Sequence, residues 1–408
     1  MRRVPFLALL TANTISLLGS QFTAVALPWF VLQTTGSATK TGLTGFSVGL
    51  PYFLVGIFGG ALVDRVGFRN TSVLADVVSG TAIASIPLLY HTIGLAFWQF
   101  LALVFVSSML GIPGLSARRS MLPEIATLSG LRLERTNAFF ESIQPTSLLL
   151  GPPIAGVLIV WLGASNVLWI DAATFAISAL LVQFGVPAVR LVASSGKHDR
   201  YLDALLAGIR FLRNDRLLLT MAIWLTASNF LMGPLFGVIL PVYAKREFGR
   251  AADLGLMLAA FGAGQLIGII SYGAIGHRFS RRVTWLITFI GETIPFWVLL
   301  WKPALPIIML TFALVALADG PANPLLVTVR HERTPAELRG RVFSAFSALS
   351  TMAIPIGMVT VGAAISAIGL TATLLTLALL SQIIGFAPIF MPVFRELDAS
   401  PAVRPLPE

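Results

Sequence analysis

The segment LTGFSVGLPYFLVGIFGGALVDRVGFRNTSVLADVVSGTAIASIPLLYH, residues 43–91, decides the fold of this chain. It holds two apolar runs, at 43–63 and 71–91, and a short polar loop between them that carries Arg65 and Arg69. A helix needs about 20 apolar residues to cross the hydrocarbon core of a bilayer. The segment therefore predicts two membrane-spanning helices joined by a short loop.

The same pattern continues over the whole chain. Of its 408 residues, 56% are hydrophobic and 11% are charged, whereas soluble domains contain about 25% charged residues. Because so few charges cannot cover a globule, lipid must cover most of the surface. The sequence predicts an all-α membrane protein with twelve transmembrane helices. The predicted spans lie near 5–32, 43–63, 71–91, 94–116, 138–162, 166–187, 216–243, 253–276, 283–301, 304–327, 342–367 and 370–393.

The basic residues predict the orientation of these spans. If the N-terminus is inside, the inner segments hold every Lys and Arg except five, which are Lys40, Lys245, Arg246, Arg250 and Lys302. Short cytoplasmic loops carry such an excess of basic residues. We therefore predict that both termini are cytoplasmic. The net charge of +10 then reflects membrane topology, and no nucleic-acid partner is expected.

Matching positions in the two parts of the chain indicate an internal repeat. The spacing is 213 residues for two pairs and 212 for the third, which are Pro28 with Pro241, Gly60 with Gly273, and Arg118 with Arg330. Some secondary transporters are built from two such repeats, with the substrate site between them. We predict two six-helix pseudo-repeats, at 1–187 and at 216–408 with a short cytoplasmic tail. A cytoplasmic linker at 188–215, with a short amphipathic helix, is expected to join them.

The loop after the second span has a specific pattern of glycine, acidic and basic residues. It reads Gly60-Ala-Leu-Val-Asp64-Arg65-Val-Gly67-Phe-Arg69, and it resembles the signature loop of the major facilitator superfamily at every fixed position. The resemblance implies the twelve-helix fold of that superfamily. It also implies a cytoplasmic gate, in which this loop locks the two halves together. The alternative is a basic anchor that only holds the topology.

A second motif lies in the fifth span. Gly151-Pro152-Pro153-Ile154-Ala155-Gly156 resembles in part the Gly-Pro-x-x-Gly-Gly element of exporters in this superfamily. Gly and Pro also bend ordinary membrane helices and allow tight packing. Other phrases, among them Ile170-Asp171-Ala172 and Glu337-Leu338-Arg339-Gly340-Arg341, are similar to the bacterial branch of macrolide-type drug exporters and siderophore exporters. That resemblance runs nearly from end to end.

Acidic residues within spans are functional candidates, because burying them in a membrane is costly. The deepest are Asp319 and Glu292, in the tenth and ninth spans, where no basic residue lies at the same depth. Such carboxyls are expected to be protonated near neutral pH. Asp319 is the first candidate for proton coupling, since the tenth span lines the cavity in this superfamily. The alternative is a protonated carboxyl that only forms hydrogen bonds between helices.

Three further acids lie within or near spans. Asp171 and Glu141 are additional candidates for proton coupling. Asp171 is near the start of the sixth span, where a helix N-terminus stabilises a carboxylate without further function. Glu141 is near the cytoplasmic end of the fifth span and is expected to be half solvated. Asp76, close to the signature loop, is expected to pair with Arg65 or Arg69 as part of the gate.

Polar side chains in the spans are candidates for substrate binding. They are Asn13, Gln21, Gln144, Asn229 and Asn323. Hydrogen bonds between helices would account for these residues equally well.

Several other kinds of chemistry are excluded. The chain has no cysteine, which excludes disulfides and thiolate sites. Its four histidines are scattered and make no metal cluster. It lacks the glycine-rich ATP-binding loop that ends in Lys and Ser or Thr. We expect no enzymatic activity, no metal and no other cofactor.

Together with the resemblance, these observations predict a multi-pass secondary transporter in the bacterial cytoplasmic membrane. It is expected to act as a monomer and to export hydrophobic or amphipathic compounds in exchange for protons by alternating access. Two alternatives stay open. One is a dedicated exporter of siderophores or lipid-like metabolites, and the other is a transport-inactive sensor or scaffold on the same fold.

Overall fold

The computed structural model of the protein describes residues 3–187 and 201–399, with the side chains of all of them except 52–53, 55–65, 201–205 and 277. All regular secondary structure in these described residues is helical. The helices are α1 (Val4–Thr35), α2 (Ala38–Val66), α3 (Phe68–Thr92), α4 (Phe97–Met109), α5 (Gly111–Ser129), α6 (Leu133–Leu162), α7 (Ala164–Gly185), α8 (Tyr201–Asn214), α9 (Arg216–Pro234), α10 (Leu240–Tyr243), α11 (Ala251–Ile275), α12 (Arg281–Gly291), α13 (Ile294–Leu300), α14 (Leu305–Asp319), α15 (Ala322–Arg333), α16 (Arg339–Thr351), α17 (Ala353–Ile368) and α18 (Leu370–Phe390).

Short segments of other helix types continue several of these helices. π-Helical turns at Leu235–Ile239 and Ala244–Phe248 flank α10. Turns of 3₁₀-helix occupy Gly276–Arg278, Ala336–Leu338 and Pro392–Leu397. Lys302, between α13 and α14, has a φ of 49°. This turn separates the two predicted spans that the sequence divides only by Lys302 and Pro303.

The twelve predicted transmembrane helices are confirmed. Eleven helical segments of the described chain are long and apolar enough to cross a membrane, and several of them join consecutive helices, as in Phe97–Ser129 and Leu305–Arg333. The twelfth is α2, which contains the apolar run 43–63 and is 29 residues long. At 1.5 Å per residue, each of these segments reaches across the hydrocarbon core, which is about 30 Å thick.

The described chain divides into two compact units. The first unit comprises residues 3–187 and 240–259, and the second comprises 201–239 and 260–399. The predicted division at 1–187, 188–215 and 216–408 stays a prediction, since 188–200 lie outside the described residues. Within the predicted linker, a helix occupies Tyr201–Asn214, where its Leu212 is buried against α16 of the second unit.

In the first unit, α1 packs against α6 and α7, and α3 packs against α5 and α7. Small residues bring these helices close together, as is usual for packing between helices in lipid. A Cβ atom added to Gly80 of α3 would lie 2.9 Å from the Cβ atom of Phe175 in α7. This close packing places polar side chains of α1, α3, α5 and α7 side by side.

In the second unit, α9 packs against α16 and α17, and α12 packs against α14 and α18. Large side chains fill the core between these helices, among them Trp285, Phe289, Phe346 and Phe394. The indole Nε1 of Trp224 donates a hydrogen bond to the Ile384 carbonyl at 2.8 Å.

Candidate functional site

A cavity of about 380 Å³ lies within the first unit and is lined by residues of α1, α2, α3, α4, α5, α6 and α7. Three of the predicted substrate-binding residues, Asn13, Gln21 and Gln144, line it. The structure therefore brings them to one place, although they are up to 131 positions apart in the sequence. Their role in binding a substrate stays a prediction.

A buried ion pair forms one wall of this cavity. Arg118 of α5 places its Nη2 atom 2.7 Å from Oδ1 and 2.5 Å from Oδ2 of Asp76 in α3. Asn13 accepts a hydrogen bond from Arg118 Nη1 at 3.2 Å, and Ser72 accepts one from Nε at 3.0 Å. Ser178 of α7 donates to Asp76 Oδ2 at 2.8 Å. The charge of each partner is thus compensated, and further polar groups surround the pair.

This pair corrects two sequence-based expectations. Asp76 was expected to pair with Arg65 or Arg69, and Arg118 was assigned to a cytoplasmic loop. In the structure α5 continues the fourth span as far as Ser129, so that Arg118 lies within a helix and is 4% exposed. Because α3 packs against α5, the carboxylate of Asp76 meets Arg118.

Asp171 of α7 is a second acid on the wall of the cavity. It is 0% exposed, accepts a hydrogen bond from Thr23 of α1, and accepts one from Thr174 at 3.1 Å. The helix N-terminus was expected to stabilise this carboxylate. However, α7 begins at Ala164, two turns earlier, and the effect of a helix terminus fades within the first turn. The hydroxyl groups of Thr23 and Thr174, and not the helix N-terminus, therefore stabilise Asp171.

Glu292 and Asp319 lie in the second unit, at two neighbouring breaks between helices. Glu292 and Thr293 separate α12 from α13, and Asp319 is the last residue of α14. The break after Asp319 falls at Gly320 and Pro321, and proline interrupts the hydrogen bonds of a helix interior. The two helices touch at this level, because a Cβ atom on Gly291 would lie 3.7 Å from the Cβ atom of Ala318. Glu292 directly follows Gly291, and Asp319 directly follows Ala318, so the two acids lie at the same level of the unit.

Neutral side chains donate hydrogen bonds to both carboxyls. Ser228 of α9 donates a hydrogen bond to Glu292 at 2.6 Å, and Gln265 of α11 donates one to Asp319 at 3.2 Å. The ion pairs of Arg118, Arg119, Arg281 and Arg333 involve other acids. These contacts agree with both interpretations, a proton-coupling role and a hydrogen bond between helices.

The remaining polar candidates lie elsewhere. Glu141 forms an exposed ion pair with Arg119 at 3.0 Å, with both side chains about half exposed, as its expected half-solvated position implies. Asn229 donates to the Ser350 carbonyl at 3.0 Å, which is a hydrogen bond between helices. Asn323 is exposed on α15. Neither Asn229 nor Asn323 lines the cavity of the first unit.

The signature loop is only partly described. The side chains of 55–65, which include Gly60, Asp64 and Arg65, lie outside the described residues, although the backbone of 38–66 forms α2. Gly67 separates α2 from α3 with a φ of 86°, a conformation that glycine adopts without steric cost. Arg69 follows in the first turn of α3 and is half-buried. The gating role of this loop stays a prediction.

The glycines of the fifth-span motif allow close contacts within the first unit. A Cβ atom on Gly156 would lie 2.8 Å from the Ala251 carbonyl oxygen at the start of α11, and one on Gly151 would collide with Gln21 of α1. Gly255 of α11 in turn lies against the Pro152 carbonyl. Despite its three prolines, α6 is continuous from Leu133 to Leu162. The motif therefore acts here through close packing.

Sequence reasoning missed several polar partners of the acids. Thr23, Ser178, Ser228 and Gln265 are small or neutral residues within apolar runs, and no local pattern distinguishes them. For Arg118 the sequence did offer an indication of importance, because the internal repeat matches it with Arg330 in the second half of the chain. Arg330 has a different environment, where its guanidinium lies 4.8 Å and 5.0 Å from the ring centroids of Phe343 and Phe346.

Bundles of long apolar helices that enclose buried carboxyls and a polar cavity define a polytopic membrane transporter. The chain belongs to the Major Facilitator Superfamily, whose family profile matches residues 9–249 and 224–408. This confirms the resemblance drawn from the signature loop.

Individual relatives cover almost the whole chain. The multidrug efflux pump Tap of Mycolicibacterium fortuitum is 32% identical over 406 residues, which cover 97% of this chain and 98% of that protein. Macrolide efflux protein A of Streptococcus pyogenes is 22% identical over 368 residues, 88% of each chain.

Solved structures show the same fold. A mutant of the nucleoside transporter NupG has a TM-score of 0.80 at 13% identity and covers 95% of this chain and 99% of its own. A bacterial homolog of the human lysosomal transporter Spinster has a TM-score of 0.74 at 14% identity, over 98% and 99% of the two chains. At such low identity these structures bear on the fold alone.

Proposed function

We propose that this protein exports hydrophobic or amphipathic drugs across the bacterial cytoplasmic membrane in exchange for protons, by alternating access. The observation that carries the proposal is its 32% identity, nearly end to end, to the multidrug efflux pump Tap. Macrolide efflux protein A, which aligns over most of its length, supports the same class of substrate. Both proteins are named as efflux systems, and their names suggest export.

Two half-buried carboxyls of the second unit support proton coupling. Glu292 accepts a hydrogen bond from Ser228, and Asp319 accepts one from Gln265, and both donors are neutral. A buried carboxyl without a cation is neutral when it binds a proton, and it becomes costly when the proton leaves. Proton release is therefore favourable only when water or a substrate reaches the site. Such a residue can link proton movement to a change in access, with Asp319 as the first candidate and Glu292 as the second.

We further propose that the chain works as a monomer and that both termini are cytoplasmic. The distribution of basic residues supports this orientation, since only five of the 28 Lys and Arg side chains fall on the outer side.

Proton flux into proteoliposomes tests the proposal. With an imposed pH gradient, a panel of macrolides, cationic dyes and siderophores is added, and we expect drugs to stimulate proton movement through the wild-type protein. Asp319→Asn and Glu292→Gln remove one proton site each while they preserve side-chain shape, and they are expected to abolish this flux. Glu134→Gln, at an exposed position, serves as the control and should transport normally.

Other outcomes would favour the alternatives. Flux stimulated by siderophores and by none of the drugs would identify a dedicated siderophore exporter. Drug transport that ignores the pH gradient would refute proton coupling. A protein that moves no compound of the panel would indicate a sensor or scaffold.

A further inference from the structure

Helix α8 of the second unit exposes a face that combines apolar and basic side chains. Leu206 is 58% exposed and Ile209 is 41% exposed, and Arg210 and Arg213 are exposed as well. These four positions follow the spacing i, i+3, i+4 and i+7, so they share one side of the helix. The helix therefore presents two large apolar side chains and two cations on the same surface.

The opposite face holds α8 in a fixed orientation. Leu212 is buried in the core that α8 shares with α16. Gly208 lies so close to α16 that an added Cβ atom would be 2.3 Å from the Arg341 carbonyl oxygen. Because these contacts fix the rotation of α8 about its axis, Leu206 and Ile209 stay on the outer side while the helix remains docked.

The position of α8 in the chain places its C-terminal end at the edge of the membrane. The helix ends at Asn214, and the membrane-spanning segment that contains α9 begins at Arg216. Asp215 lies between them and caps α9. The C-terminal end of α8, with Arg210 and Arg213, is therefore at the level of the lipid headgroups. Helices with an apolar and basic surface are typical of that region.

The charge on this surface is positive. Arg216, which is also exposed, adds a third cation directly after the helix. Asp215, the acid of this stretch, is 6% exposed and binds the Leu218 amide and Arg333. The exposed charges of the described residues 206–216 are therefore cationic. Guanidinium groups bind phosphate oxygens, but a free phosphate ion would leave the two apolar side chains uncovered, whereas a phospholipid supplies both a phosphate and an acyl chain.

We propose that the exposed face of α8 is a binding site for an anionic phospholipid of the adjacent leaflet. Arg210, Arg213 and Arg216 bind its headgroup phosphate, and Leu206 and Ile209 lie against its acyl chains. The bound lipid covers the face that the protein itself leaves open. This inference goes beyond the proposed export function and does not depend on it, because lipid binding is measured without transport.

Native mass spectrometry of the purified protein tests the inference, because it counts the lipids that stay bound. Dioleoylphosphatidylglycerol is the anionic probe, and dioleoylphosphatidylcholine is a zwitterionic control with the same acyl chains. We expect the wild type to bind phosphatidylglycerol more tightly. The double variant Arg210→Gln/Arg213→Gln should weaken this binding by about tenfold or more, since each basic residue near an anionic surface contributes roughly fivefold. Binding of phosphatidylcholine should not change.

A matched control and a competitor complete this experiment. Arg278→Gln/Arg395→Gln removes two exposed cations from elsewhere in the same unit and should bind phosphatidylglycerol as the wild type does. Inorganic phosphate, compared with chloride at equal ionic strength, should not displace the lipid, because it cannot replace the contacts of the acyl chains.

A second measurement locates the lipid on α8. The chain has no cysteine, so an environment-sensitive dye can be attached to Leu206→Cys alone. Its emission should shift to shorter wavelengths in vesicles of phosphatidylcholine with phosphatidylglycerol, relative to vesicles of phosphatidylcholine only. The same dye on Arg278→Cys should show no such difference. Arg210 and Arg213 stay in place here, so the result decides the matter even if their double variant fails to fold.

Four results would overturn the inference. They are equal binding of the two lipids by the wild type, equal loss of phosphatidylglycerol in the two double variants, displacement of the lipid by inorganic phosphate, and a dye on Leu206→Cys that does not respond to phosphatidylglycerol. Failure of the export function is separate, since it would appear as intact lipid binding without transport in proteoliposomes.

Discussion

Asp76 and Arg118 join α3 to α5 through a buried ion pair, in which the Arg118 Nη2 atom lies 2.5 Å from Asp76 Oδ2 and both side chains are no more than 5% exposed. Asn13, Ser72 and Ser178 supply further hydrogen bonds to the pair. A charge buried to this degree is stable only while its partner stays in place.

Removing one member of this pair should destabilise the protein strongly. Asp76→Asn keeps the shape of the side chain but leaves the Arg118 cation uncompensated, so we expect the free energy of unfolding to fall by about 3–5 kcal/mol. The matched control is Glu141→Gln, which breaks the exposed pair with Arg119 and should cost at most about 1 kcal/mol. Unfolding in mixed micelles measures both. Equal losses for the two variants would show that the buried pair has no special role.

Two glycines of α11 should respond differently to the same substitution. A Cβ atom on Gly255 would collide with the backbone carbonyl of Pro152, whereas a Cβ atom on Gly273 meets nothing within 4 Å. We therefore expect Gly255→Ala to lower the thermal stability and the drug transport of the protein. Gly273→Ala should be neutral or stabilising by up to about 1 kcal/mol, because alanine restricts the unfolded chain. Normal transport by Gly255→Ala would contradict the proposed importance of this contact.

Asp215 has two separable roles at the start of α9. Its Oδ1 atom accepts a hydrogen bond from the Leu218 amide at 3.0 Å as an N-cap, and it lies 3.2 Å from Nη1 of Arg333. Asp215→Ala removes both interactions, and the cap alone should contribute about 1 kcal/mol. Asp215→Asn keeps a good cap and removes only the charge, so it should lose clearly less stability. Denaturation of both variants checks this, and equal losses would assign the whole effect to the ion pair.

The absence of cysteine from the sequence makes the topology directly testable. Single cysteines at Arg250→Cys and Ala399→Cys lie in the predicted outer loop and the predicted cytoplasmic tail. In intact cells, a membrane-impermeant thiol reagent should label the first variant and spare the second until the membrane is permeabilised. The reverse pattern would invert the orientation derived from the basic residues.

Sequence patterns predicted the span count and the superfamily, because these depend on hydropathy and on contiguous motifs. Partners across helices were predicted less well. Asp76 was expected to pair with a nearby arginine of the signature loop, but its partner Arg118 comes from another helix, 42 positions away. Asp171 was expected to depend on a helix terminus, but Thr23 of α1 is its neighbour.

The sequence by itself determined that this chain forms twelve membrane-spanning helices of the Major Facilitator Superfamily. This follows because the cost of placing a segment in lipid depends on the composition of about 20 consecutive residues. Only the tertiary structure decided which polar residues meet. It paired Asp76 with Arg118, left Asp171 with hydroxyl donors on the wall of a cavity, and placed Glu292 and Asp319 at adjacent helix breaks. These relationships depend on which faces of the helices pack together, and small residues distributed over the whole chain determine that packing.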